Sequence, residues 1–179
     1  QDTGHTMEPT ASMALRAARK AGDLIVRASD DMDRVGYQAK AAADFVTEVD
    51  IAAEKEILYQ LGKAYPEHRF LCEESGLSGN EDSDYTWVID PLDGTSNFLR
   101  GIPHYAISIA CLHRGKIEHA VVYDPVGREE FIASRGRGAH TSSRVTDSVP
   151  HTFINPEGWH LPKEETGGFS LTPVFKTFK

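Results

Sequence analysis

Trp87-Val-Ile-Asp-Pro-Leu-Asp-Gly-Thr-Ser-Asn-Phe98 is the stretch from which the rest of the chain is read. Trp87, Val88 and Ile89 form an apolar run of strand formers, which gives way to two acids separated by Pro-Leu and followed by Gly-Thr-Ser-Asn. Pro91 has no amide donor and a fixed φ, which predicts that the chain leaves the sheet there. Gly94 allows a tight turn that a Cβ would resist. Thr95 or Ser96 is then expected to cap a helical turn. A buried strand thus delivers Asp90, the Leu92 carbonyl and Asp93 to the start of a helix. Oxygen donors suit a hard divalent cation and exposed helix amides suit an anion, so the stretch points to a cation and a phosphate held together. The plainer reading, a strand ending in an acidic surface turn, serves equally well if Asp90-Pro-Leu-Asp-Gly94 is taken alone.

Two upstream stretches bear on the choice. In Asp44-Phe-Val-Thr-Glu-Val-Asp50, Thr47 and Asp50 stand three apart at the start of a helix predicted over 49–65, which is the spacing of a capping box. Arg69-Phe-Leu-Cys72 reads as a short strand ending at Glu73-Glu-Ser-Gly76. Adjacent glutamates at a strand end are ordinarily surface charge. If this strand neighbours the one ending at Asp90, however, Glu73, Asp90 and Asp93 crowd into a space that calls for neutralising cations.

With these two motifs upstream and in this order, Asp90-Pro-Leu-Asp-Gly-Thr-Ser-Asn-Phe98 resembles the signature of the inositol monophosphatase family of Mg²⁺-dependent, lithium-sensitive phosphatases. Over about 7–139 the chain is similar to a bacterial inositol-1-monophosphatase. The resemblance implies a phosphomonoesterase that converts inositol-1-phosphate to inositol and phosphate. It assigns Glu73, Asp90, the Leu92 carbonyl and Asp93 as Mg²⁺ ligands, and Asp50 with Thr95 as the pair that orients the attacking water beside Glu73. Asp93, Gly94, Thr95 and Ser96 become the phosphate and substrate contacts. Gly101-Ile-Pro-His-Tyr-Ala-Ile-Ser-Ile-Ala110 is closest to the inositol type, within a superfamily that also acts on other small phosphate esters. Some bacterial relatives are implied to act in ribosomal RNA transcription with RNA polymerase and antitermination factors, which makes a non-catalytic interaction module the alternative. Homodimers are common in the family.

Composition narrows the classes further. Acids outnumber bases 27 to 19 over 179 residues, a formal charge of −8, which argues against direct nucleic-acid binding. An acidic protein that handles a phosphate ester needs a metal to bring the anion in. No apolar run approaches the roughly 20 residues of a membrane span, and the polar amino end carries no targeting signal, with Met7 read as a natural start. Cys72 and Cys111 lie in apolar surroundings without ligand spacing and are expected to be buried free thiols, consistent with a cytoplasmic location.

The expected fold class is α+β, an antiparallel sheet packed against two long helices. Met13, Leu15, Ala18, Ala21, Leu24, Ile25 and Val26 give the first helix, and Ala52, Ala53, Ile57, Leu58 and Leu61 the second. Residues 77–84 read as an exposed loop. Three apolar runs over 105–112, 117–123 and 130–133, with turn-rich links, predict hairpins. His104, His113 and His119 share no metal spacing, and Gly136-Arg-Gly-Ala139, which lacks the lysine and following helix of a phosphate loop, resembles the family's turn after the third hairpin strand. One metal-binding domain is assigned to 7–141 and a divergent, largely irregular tail to 142–179. In that tail Trp159 precedes His160, so the family's Trp-Asp pair and second α/β domain have no counterpart there, and impaired activity or an inactive fragment is the corresponding expectation.

Overall fold

The computed structural model describes residues 7–32, 35–41 and 44–141. The expectations for the polar amino end and for the tail over 142–179 fall outside them. Helix α1 spans Pro9–Ser29, with Pro9 at a first-turn position where its missing amide is harmless. Strands β1 (Tyr37–Ala41) and β2 (Asp44–Thr47) form a two-stranded antiparallel ribbon that leads into α2, Glu48–Ala64. The main sheet follows as β3 (Arg69–Cys72), β4 (Gly76–Gly79), β5 (Tyr85–Asp93), β6 (Ala106–His113), β7 (Lys116–Asp124), β8 (Glu129–Ser134) and β9 (Gly138–Thr141). A short helix α3, Thr95–Leu99, interrupts it between β5 and β6.

The seven strands lie in the order β4-β3-β5-β6-β7-β8-β9, with β3 and β5 parallel and every other pair antiparallel. The parallel pair is what the hairpin reading missed, and it matters most for the site. Arg69 to Cys72 run beside Thr86 to Ile89 in the same direction, so both strands present their carboxyl ends, and the acids that follow, at one edge of the sheet.

Alternation divides the strand residues between two faces. Trp87 and Ile89, Ile107, Ile109 and Cys111, and Val121 and Tyr123 join the core beneath the two long helices. Val88, Ala110 and Leu112 form a smaller cluster on the opposite face with Leu71 and Ile117. The buried stripe of α1 consists mainly of small residues, Ala11, Ala14, Ala17, Ala18, Ala21 and Gly22, interrupted by Leu15 and Ile25. Small side chains let the helix approach closely. A Cβ on Gly22 would stand 2.6 Å from the Tyr123 ring and 3.0 Å from Pro125. Arg19 on α1 makes a two-pronged ion pair with Glu130 on β8, at 2.5 and 2.8 Å, in which Glu130 is buried.

Three local expectations are corrected. Pro91 does not end its strand: β5 continues to Asp93 through a register shift between Asp90 and Asp93, an irregularity that accommodates a residue without an amide donor. Residues 77–84 are not all loop, because β4 pairs with β3 from Cys72–Gly76 to Arg69–Gly79. The N-cap of α3 is Gly94, not Thr95 or Ser96, and it makes no side-chain cap bond. At φ 102° only glycine is at ease, and a Cβ there would meet the His104 carbonyl at 3.1 Å.

The hairpins expected of the three apolar runs and the buried free cysteines agree, whereas Gly138 and Ala139, read as part of a turn, begin β9. Both cysteines are free and buried, and burial pushes each thiol up to about 12, which leaves them unreactive. His113 stacks on Tyr85, and His119 shares a 2.9 Å hydrogen bond with Ser134. No helix among the described residues is long and apolar enough to cross a membrane.

Candidate metal and phosphate centre

Thr47 caps α2 as its spacing predicts. Its hydroxyl oxygen accepts from the amides of Val49 and Asp50 at 3.1 and 3.2 Å, while the Thr47 amide donates to Asp50 Oδ2 at 2.9 Å. The Thr47 hydroxyl also donates to Asp50 Oδ2. These bonds leave the other carboxylate oxygen pointing away from the cap, where Asp50 Oδ1 receives the Thr95 hydroxyl at 2.8 Å. Capping and the Thr95 contact therefore use different oxygens of one side chain. The same hydroxyl lies 3.0 Å from the Leu92 carbonyl, which ties α3 back to the end of β5. Asp50 is 2% exposed, and burial raises its pKa against the pull of the Thr47 and Thr95 hydrogen bonds.

Asp90 is buried at the end of β5, and its Oδ1 accepts from the Leu92 amide at 3.2 Å. Its pKa lies well above the carboxylate range. Burial is the first cause, followed by the charges of Glu73 and Asp93 and a hydrogen bond with Glu73, and the Leu92 amide pulls the other way. Asp93 is pushed up to about 6 by burial and by the charge of Glu73. Its Oδ2 is buried without a hydrogen-bond partner. Such an atom is costly in a carboxylate unless something positive meets it. The structure thus brings Glu73, Asp90 and Asp93 within electrostatic reach of one another.

It does not assemble them as a closed cage. Among the described residues no three Asp, Glu, His or Cys side chains are gathered tightly enough to hold an ion as they stand. Mutual repulsion of carboxylates opposes a tighter arrangement. The donor chemistry nonetheless fits a hard cation: three carboxylates and the Leu92 carbonyl are all oxygen, and Asp93 Oδ2 is still unpartnered. Beside this group a cavity of about 330 Å³ opens between Asp93, Gly94, His104, Tyr105, Asp124 and Phe131.

The residues matched by the model of the inositol monophosphatase family run from 6 to 157. The chain belongs to that family. A Nus factor SuhB from Pseudomonas aeruginosa is 55% identical over 140 residues, which are 77% of this chain and 52% of that protein. The extragenic suppressor protein SuhB of Bartonella henselae, a crystal structure, superposes with a TM-score of 0.74 at 42% identity, covering 76% of this chain and 53% of that one. An IMPase of Thermotoga maritima superposes at 0.68 with 31% identity over 78% of this chain and 55% of that one. The chain spans about half the length of the curated relatives it matches.

Sequence reasoning missed Glu54, a carboxylate on α2 that is only 3% exposed. Its two oxygens accept from the amides of Glu74 and Ser75 at 2.8 and 3.0 Å. The available signal was its position four residues after Asp50, on the same helix face, where a solvated acid is not expected.

Proposed function

We propose that this chain carries the cation and phosphate centre of a Mg²⁺-dependent phosphomonoesterase that acts on a small phosphorylated polyol, inositol-1-phosphate. The observation that carries the reading is the bond from Thr95 to Asp50, made beside three carboxylates of which one keeps an unpartnered buried oxygen. Glu73, Asp90, the Leu92 carbonyl and Asp93 would hold Mg²⁺. When bound, Mg²⁺ neutralises these carboxylates and withdraws charge from the phosphate oxygens.

The chain's own residues supply the rest. Thr95 has one hydroxyl proton, which is engaged by Asp50 Oδ1 and the Leu92 carbonyl, so its oxygen lone pairs remain to accept from a water and orient it toward phosphorus. Burial of Asp50 raises its affinity for a proton, and the Thr47 cap fixes its orientation. Gly94, the N-cap of α3, lines the cavity, and its amide with that of Thr95 and with Ser96 would hold phosphate oxygens where charge builds in the transition state.

Phosphate release from inositol-1-phosphate with Mg²⁺, compared with Asp93→Asn, tests the reading. Turnover that depends on Asp93 agrees with it, and equal release by both proteins removes the proposed centre. A second reading is favoured by the name of the Pseudomonas relative, a Nus factor: a transcription module that contacts RNA polymerase or its antitermination factors. Capture of RNA polymerase equally by wild type and Asp93→Asn would point to that role, independent of the cation.

A further inference from the structure

Glu73 heads a turn whose backbone is fixed from two directions. Its own amide donates to the Ile89 carbonyl on β5 at 3.1 Å, which extends the β3–β5 pairing by one residue. The next two amides, of Glu74 and Ser75, donate to the two oxygens of Glu54. These are charge-assisted bonds to a buried carboxylate, the stronger kind. Glu54 therefore binds the turn to α2 immediately after the residue assigned to the cation.

One helical turn earlier on the same face, Asp50 holds the Thr95 hydroxyl. A single rigid element, α2, thus grips both sides of the centre through two carboxylates four residues apart. Asp50 reaches the β5–α3 turn, and Glu54 reaches the β3–β4 turn. Both residues are also tied to β5, Glu73 through the Ile89 carbonyl and Thr95 through the Leu92 carbonyl, so the helix adds a second, independent constraint on their separation. We propose that Glu54 is a positioning residue for the cation centre: it fixes the Glu73 carboxylate against Asp90 and Asp93 by clamping the two amides that follow it. The inference rests on the metal reading above and adds to it a residue outside the ligand set.

The side chain is well suited to this and its near relatives are not. Glutamine keeps the length but turns one acceptor into a donor facing an amide. Aspartate keeps both acceptors and the charge but is one methylene short. A general effect of negative charge near the cation would survive Glu54→Asp, whereas a clamp would not. A site displaced by a fraction of an ångström in its supporting residues loses affinity, and partners of this kind ordinarily matter ten- to hundredfold.

The test is Mn²⁺ binding to the full chain, read by electron paramagnetic resonance, since Mn²⁺ accepts the same oxygen donors. Wild type, Glu54→Gln, Glu54→Asp and Ile57→Val are compared, with far-UV circular dichroism to establish folding. Ile57 is fully buried in the same helix, so its variant loosens α2 without touching the clamp. Expected are a ten- to hundredfold weaker Mn²⁺ affinity in both Glu54 variants and wild-type affinity in Ile57→Val. Wild-type affinity in either Glu54 variant, equal weakening in Ile57→Val, or failure of both Glu54 variants to fold would overturn the positioning role alone. Absence of Mn²⁺ binding by the wild type would overturn the metal reading, and this inference with it.

Discussion

Thr95 Oγ1 donates to Asp50 Oδ1 at 2.8 Å across 45 residues of sequence, and the opposite oxygen of Asp50 is occupied by the Thr47 cap. One carboxylate thereby joins the start of α2 to the start of α3. Thr95→Val keeps the shape and removes the hydroxyl. Asp50 then loses a partner at a buried oxygen, a cost of about 1–3 kcal/mol to stability. Phosphate release should fall about a hundredfold or more, with KM little changed, because the lost contact is to the attacking water. Steady-state assay and urea unfolding of the same variant check both.

Asp93 should destabilise the protein it serves. Its folded pKa of about 6 lies above the ordinary carboxylate value near 3.9 that it takes when unfolded. A raised acid favours the folded state only while protonated, so its ionised form works against folding as pH rises through about 6. In chelator at pH 8, Asp93→Asn is expected to unfold at a higher urea concentration than wild type. The advantage should vanish at pH 4. Adding Mg²⁺ should stabilise the wild type and leave the variant unmoved.

At the far end of β5 from the site, Trp87 Nε1 donates to His68 Nδ1 at 3.0 Å, and His68 stacks between Tyr65 and Tyr85 at 4.8 and 4.7 Å. Burial lowers the His68 pKa. The neutral ring is therefore the folded form, and its contribution to stability is full above the unfolded value of about 6.5 and lost as pH falls through the lower folded value. Protonation would also set a donor against the Trp87 donor. Between pH 7.5 and 5 the urea midpoint should drop more in wild type than in His68→Gln, whose amide oxygen can still accept from Trp87. Identical drops would contradict this account, since His119, also lowered mainly by burial, is common to both proteins.

Gly22→Ala sets helix propensity against packing. Alanine gains about 1 kcal/mol in a helix interior. Its Cβ would lie 2.6 Å from the Tyr123 ring, and overpacking costs about 1–3 kcal/mol where a ring and Pro125 must both yield. The net expectation is a loss of about 1 kcal/mol, measured as a lower urea midpoint with the m-value unchanged.

Much of this was legible in the chain, and the reasons differ by element. Thr47 and Asp50 announced their cap because that motif is local, its two ends only three positions apart. The apolar runs of β6, β7 and β8 announced their hairpins because short turns leave few alternatives. The parallel pairing of β3 with β5 was not readable, since it depends on where α2 delivers the chain and on the β4 excursion between the two strands. On α1 the large residues were an uneven guide: Leu15 and Ile25 are buried but Leu24 and Val26 only partly, while Ala14, Ala17 and Gly22 are buried as well. Pro91 misled because a proline stops a regular ladder but not one that shifts register around it. Glu54 was overlooked because a glutamate within a helix is ordinarily solvated, and its two amide partners lie 20 and 21 residues away.

Calorimetric titration of the chain with Mg²⁺ tests the central claim most directly. Saturable binding that is lost in Asp93→Asn and weakened in Glu73→Gln is the predicted result. No binding by the wild type, or binding that both variants retain unchanged, would contradict it.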